Sequence, residues 1–275
     1  MEAENFKIPI GGKGIIAGTA LGSGPRLLIC FHGFGQSRKL FRHLIPADLQ
    51  GWRVVLLDLP FFGESEWPEA AGPVLPEDWA AFLEELVGRY PCEEVHFWAF
   101  SLGAKVALGL FQATQRQVKR VVLISPDGLR IHPVYRFCIY NPIGRALFYT
   151  VLRWPGLFLF IWKMLHKLRI TDPFKFRFLQ KQFDTPEKRA LLRRVWRGHS
   201  RIRPDIAAIA KKSEQMKTEW HVIWGEHDNV LSVQIGRDFI QKVKDAKLHV
   251  VDGGHFLLYP PHEMVRSLLN SFLEA

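Results

Sequence analysis

The sequence predicts an α/β fold, a mostly parallel sheet flanked by helices, and three observations carry that prediction. Short β-branched and apolar runs alternate with stretches of helical spacing along most of the chain. The runs after residue 25 are apolar nearly throughout, the pattern of strands covered on both faces. One basic, aromatic segment, residues 129–219, breaks the rhythm. An unstructured loop of that length is uncommon inside a compact domain, so the segment should carry helices of its own.

Phe6 to Ile10 and Gly14 to Leu21 read as two strands turned at Gly11-Gly12, forming an antiparallel edge. Arg26 to Phe31 (RLLICF), Val54 to Leu57 (VVLL), Val95 to Phe100 (VHFWAF), Val121 to Ile124 (VVLI), Trp220 to Trp224 (WHVIW) and Leu248 to Val251 (LHVV) read as buried parallel strands. Pro76 to Arg89, Leu102 to Ala113, Val233 to Val243 and Pro261 to Leu273 space their apolar residues as helices, which would cover both faces of the sheet. Within the interrupting segment, Ile143 to Ile170 reads as further helices, one broken from the next at Pro155-Gly156. The expected organisation is a core of residues 1–128 and 220–275, with a helical cap of residues 129–219 inserted above the sheet.

A chain of 275 residues with 48% apolar composition can bury a sizeable core, and its length suits one α/β domain with an insertion. The N-terminal MEAENFKIPIGGKG carries early acids and no apolar run of the kind a secretory signal needs. The longest strongly apolar stretch, Trp154 to Trp162, is nine residues against the roughly 20 that span a bilayer. Cys30, Cys92 and Cys138 form neither a metal-ligand nor a CxxC pattern, so a cytoplasmic protein with reduced thiols is expected. Arg130 to Glu219 holds 20 Lys+Arg against 6 Asp+Glu, 20−6=+14, whereas the rest of the chain balances to 17−21=−4. The net charge of +10 therefore comes from one segment.

The residues that suggest chemistry stand at strand ends. VHFWAF runs into Ala99-Phe100-Ser101-Leu102-Gly103 and at once into the helical AKVALGLFQ. A serine on such a turn is lifted out of the chain, and the N–H groups that open the helix face any negative charge developing beside it. Four other loops accompany it. Phe31-His32-Gly33-Phe34-Gly35 follows RLLICF, and Asp58-Leu59-Pro60-Phe61-Phe62-Gly63-Glu64-Ser65 follows VVLL. Trp224-Gly225-Glu226-His227-Asp228 follows WHVIW, and Gly253-Gly254-His255-Phe256 follows LHVV.

Taken in order, these five loops resemble those of the α/β-hydrolase superfamily, in its serine-nucleophile branch with an inserted helical cap, which includes esterases, lipases and thioesterases. The resemblance runs from Phe6 to Leu273 and leaves out the cap. The elbow is similar to G-x-S-x-G, with Ala99 in place of the first glycine. The resemblance implies Ser101 as nucleophile, His255 as base and Asp228 as the acid that orients the base. It implies an oxyanion hole made by the backbone N–H groups of Phe34 and Leu102, and a structural role for the Asp58 loop. Serine rather than aspartate at the elbow separates this chain from the haloalkane dehalogenase and epoxide hydrolase branches.

The reaction so implied is cleavage of an ester-like acyl bond, in a carboxylic ester or thioester, through an acyl-serine and without cofactor or metal. Carbon–carbon bond hydrolysis belongs to the same branch. The apolar content of the cap suggests an apolar acyl chain. A non-hydrolytic ligand receptor and an acyltransferase are the alternatives on this scaffold. Asp127, after VVLISP, is a rival for the acid; His32, His96, Glu226 and His227 read as structural or loop residues, and the eleven histidines show no H-E-x-x-H spacing. The basic segment reads as helices packed over the site or as a surface for anionic lipid. It lacks any nucleic-acid motif, so the expected partners are a small-molecule ester or thioester and, peripherally, lipid.

Overall fold

A computed structural model describes residues 3–168 and 173–274. Eight strands form one sheet: β1 (Ala3–Ile10), β2 (Gly14–Leu21), β3 (Arg26–Phe31), β4 (Trp52–Leu57), β5 (Glu94–Phe100), β6 (Val118–Ile124), β7 (Glu219–Gly225) and β8 (Lys247–Val251), in the order β1-β2-β4-β3-β5-β6-β7-β8. β1 pairs antiparallel with β2 and β2 antiparallel with β4, while every pairing from β4 to β8 is parallel. The helices are α1 (Lys39–Arg42), α2 (Pro76–Arg89), α3 (Leu102–Ala113), α4 (Pro133–Tyr140), α5 (Pro142–Arg153), α6 (Pro155–Lys167), α7 (Pro173–Phe183), α8 (Pro186–Gly198), α9 (Ile206–Met216), α10 (Gln234–Ile240) and α11 (Glu263–Glu274). This is the α/β architecture that the alternating pattern predicts.

The continuous apolar strands are explained by burial on both sides. On one face Leu28 and Cys30 of β3 join Trp52, Val54 and Trp98 beneath Val265, Leu269 and Phe272 of α11. The Phe272 ring lies 5.1 Å from that of Trp52 and 6.0 Å from that of Trp98. On the opposite face, Phe31 meets Trp79 of α2 and Phe97 edge-on, at 5.9 and 5.5 Å. Burying each such aromatic is worth roughly 1.5–3 kcal/mol. Ten of the twelve residues of α3 are buried, which makes it the central helix behind the sheet and a rigid base for whatever stands at its N-terminus.

The chain divides into two compact units, one running to Arg130 and resuming at Arg201, the other Ile131–Ser200. The inserted unit therefore ends at Ser200, short of the residue 219 expected from the sequence. Residues 201–219 lie with the first unit because α9 is tied to α3. The side-chain oxygen of Gln112 accepts the Asp205 N–H (3.0 Å), the Lys212 ammonium donates to the Gln112 carbonyl (3.0 Å), and Ile202 fills the space beside Gly109.

The inserted unit has an aromatic core of its own. Phe148 stacks on Trp196 at 5.0 Å, Tyr135 meets Trp196 edge-on at 5.2 Å, and the hydroxyls of Tyr135 and Tyr140 donate to the carbonyls of Trp196 and Ser200. The break at Pro155 stands between α5 and α6, as Pro155-Gly156 suggests. Arg169 and Ile170, the last residues of the stretch read as helices, lie outside the described residues. Among those described, no helix is long and apolar enough to cross a membrane.

Candidate active site

Ser101 sits between β5 and α3 with φ 51° and ψ −118°, a conformation that a residue with a side chain keeps only where its surroundings enforce it. Three backbone hydrogen bonds do so. The Ser101 N–H donates to the Ile124 carbonyl (3.0 Å), and the Ser101 carbonyl accepts from Ala104 (2.9 Å) and Asp127 (3.0 Å). The glycine of S-x-G is required by contact: a Cβ on Gly103 would stand 2.2 Å from the Phe31 carbonyl oxygen and 2.6 Å from that of His32. Ala99, two residues before the serine, is buried between its neighbours Phe31 and Leu123, where a methyl is accommodated.

His255 and Asp228 come from the ends of β8 and β7, and these two loops are fastened together. The N–H of Glu226 donates to Val251 (2.8 Å) and that of His227 to Gly253 (2.9 Å). The approach is close enough that a Cβ on Gly225 would lie 2.3 Å from the Gly254 oxygen. Asp228 Oδ1 accepts the N–H groups of Val230 and Leu231, each at 2.8 Å, which leaves Oδ2 to accept from His255 Nδ1 at 2.8 Å. Because a carboxylate only accepts, the proton lies on Nδ1 and the free pair of Nε2 faces the Ser101 hydroxyl, 2.9 Å away. The rings of Phe100 and Phe256, both 5.4 Å from the imidazole, help to bury it.

The rival acid is placed elsewhere. Asp127 turns its carboxylate to the Gly128 N–H (2.7 Å). It also supports the charge of Lys105, whose ammonium is pushed down by burial and partly restored by Asp127. Lys105 is the one cation inside the apolar AKVALGL of α3, the sequence signal for a buried charge that needs a partner.

The two proposed oxyanion donors stand on neighbouring strand ends. β3 and β5 pair in parallel up to Phe31 and Ala99, so the loop bearing Phe34 leaves the sheet beside Ser101. Leu102 is the first residue of α3, and its N–H has no acceptor within the helix. His32 pins this region. Its Nδ1–H donates to the Gly33 carbonyl (2.7 Å) and its Nε2 accepts the Leu59 N–H (3.0 Å), while the Gly33 N–H donates to Gln36 Oε1 (3.0 Å). Burial pushes this imidazole down to about 4, so it remains the neutral donor-acceptor that its position needs.

Asp58 is occupied in the same structural manner, accepting the Arg38 and Glu64 N–H groups (2.7 and 3.0 Å) and the Arg38 guanidinium. Ser65 donates to the Asp58 carbonyl (2.6 Å) and accepts the Ala17 N–H (2.8 Å). Glu226 and His227 are exposed loop residues. His96 is buried against Trp52, ring centroids 4.9 Å apart, with Glu94 3.3 Å from its Nε2.

Known proteins share this fold. The family model for the alpha/beta hydrolase fold matches residues 26–150. An uncharacterized hydrolase of Bacillus subtilis is 21% identical over 255 residues, 91% of each chain. Among solved structures, a hydrolase from Pseudomonas aeruginosa superposes with a TM-score of 0.69 at 19% identity, covering 98% of both chains. A thermophilic esterase from Thermogutta terrifontis does so with a TM-score of 0.66 at 20% identity and the same coverage.

Proposed function

We propose that the chain, which has the α/β-hydrolase fold over nearly its whole length and matches that fold's family model over residues 26–150, is a serine hydrolase of this superfamily cleaving an ester-like acyl bond in a small-molecule substrate. The observation that carries the proposal is the unbroken relay from the Ser101 hydroxyl through both nitrogens of His255 to Asp228, at 2.9 and 2.8 Å. The similarity to an esterase structure supports the choice of bond.

In this reading Ser101 Oγ attacks the acyl carbon while His255 Nε2 takes its proton, and Asp228 stabilises the imidazolium that results. The carbonyl oxygen, now negative, receives the N–H groups of Phe34 and Leu102. Removing one oxyanion donor from such a site costs about 2.7–4 kcal/mol. His255 then gives its proton to the departing alcohol or thiol, and a water activated by the same nitrogen releases the acid from the serine. The three cysteines are unpaired, which fits a reducing, cytoplasmic setting.

The test is a series of p-nitrophenyl and coenzyme-A acyl esters of graded chain length, run beside labelling with a fluorophosphonate probe. Fast stoichiometric labelling at Ser101, with turnover of one series, supports the reading. Failure of both makes the chain a ligand receptor, and acyl transfer to an added alcohol in preference to water makes it an acyltransferase.

A further inference from the structure

We propose that the inserted unit docks on an anionic lipid surface through the exposed apolar side of α5 and α6. Of the thirteen residues of α6, eight are large and apolar, and none is buried. Leu157, Phe160, Ile161, Met164 and Leu168 follow one another at helical spacing along one side, with exposures from 42% to 72%. Ile143 and Leu147, one turn apart on α5, are 75% and 55% exposed, and Trp154, where the two helices join, is 70% exposed. Single exposed apolar residues are ordinary, but adjoining stripes of them mark a surface that something covers.

Charge identifies the occupant. From Gly128 to Thr171, 44 residues contain no aspartate or glutamate and seven lysines and arginines. Residues 131–200 as a whole carry 14 Lys+Arg against 3 Asp+Glu, 14−3=+11. Lys163 and Lys167 flank one edge of the α6 stripe and are exposed, and the Arg153 guanidinium lies 5.4 Å from the Trp154 ring. Apolar side chains bordered by long cations, with a tryptophan at the boundary, suit the interface between acyl chains and anionic headgroups. A second copy of the chain would bring the same positive charge against itself. At 13 residues α6 is only about 20 Å long, so it lies in the plane of the membrane without crossing it.

The docking surface uses none of Ser101, His255 and Asp228, so it is tested without reference to hydrolysis. Flotation with vesicles of phosphatidylglycerol and phosphatidylcholine is compared with flotation on phosphatidylcholine alone, for the native chain, for Leu157→Asp/Phe160→Asp and for Lys163→Glu/Lys167→Glu. The expected result is binding at least about tenfold tighter to the anionic vesicles, lost about tenfold in either double variant. It should also weaken several-fold as salt rises from about 0.01 to 0.15 M. Thermal midpoints equal to native, and unchanged turnover of a water-soluble ester, show that the variants are folded. Absence of anionic-vesicle binding, or equal binding by the variants, overturns the proposal. So does a native dimer in solution that Leu157→Asp/Phe160→Asp dissolves, since a second copy then covers the face. Vesicle binding by a chain that hydrolyses no ester leaves the docking intact and removes only the enzymatic reading.

Discussion

The serine, histidine and aspartate at the strand ends differ in what each owes to its neighbours. Ser101 is strained and held by backbone, so Ser101→Ala should leave the fold intact and lower kcat by about 10⁶. Purified variant assayed on the preferred p-nitrophenyl ester checks this, and hydrolysis above a few per cent of native contradicts it. Asp228→Asn keeps the two backbone bonds at Oδ1 but offers His255 Nδ1 an amide at the wrong place, and kcat should fall about 10⁴-fold. Asp127→Asn should change kcat far less, because its carboxylate serves Gly128 and Lys105. A reversed order of the two effects, in the same assay, would move the acid to Asp127. These positions are legible in sequence because each stands directly after a strand in a short, recognisable loop. The tautomer of His32 is not, since its acceptor bond is made with the Leu59 N–H, 27 residues away.

At the level of elements, the sheet order follows from runs that the sequence shows plainly, and Arg26–Phe31, Pro76–Arg89 and Leu102–Ala113 are observed where the spacing places them. The inserted helices are less plainly divided in the sequence. Their signal is proline, which opens α4, α5, α6, α7 and α8 at positions 133, 142, 155, 173 and 186, where a missing N–H costs nothing. The end of the insertion is not legible in the sequence, because α9 has the same basic, helical composition as the helices before it. Its membership of the first unit rests on contacts with Gln112 and Gly109, about 90–100 residues away, which composition does not express. The glycines at loop crossings act between elements. Gly225→Val should force the loops after β7 and β8 apart, lowering kcat more than it raises KM, as a steady-state comparison would show. A variant with unchanged kcat would mean that the crossing has slack. Phe272→Ala, beneath both Trp52 and Trp98, should cost about 3–5 kcal/mol in a denaturant titration. A loss below about 1 kcal/mol would show that this face repacks.

Over the whole molecule, acid stability reflects two buried imidazoles. Burial pushes His32 and His96 down to about 4, below the 6.5 of an open chain. Between those values the unfolded chain binds protons that the folded chain refuses, so their contribution is complete above pH 6.5 and is lost as pH falls toward 4. For His32 alone the effect is on the order of 3 kcal/mol. Thermal midpoints measured from about pH 7.5 down to 4.5 should fall through this window, and less steeply in His32→Gln, which keeps an acceptor for the Leu59 N–H. Equal slopes would assign the loss to other groups. Charge is divided between the two units, +11 for residues 131–200 and 23−24=−1 for the remainder. The register of the sheet allows this division. β6 and β7 are neighbouring parallel strands, with Ile124 opposite Ile223, although the whole inserted unit lies between them in sequence. Chain leaves the sheet and re-enters it one strand away, so an insert at this crossover should be able to change length while the pairing on either side stays in register. Such a splice point is a place for evolution, or an engineer, to exchange one inserted unit for another while inheriting the strands that carry Ser101, Asp228 and His255 unchanged.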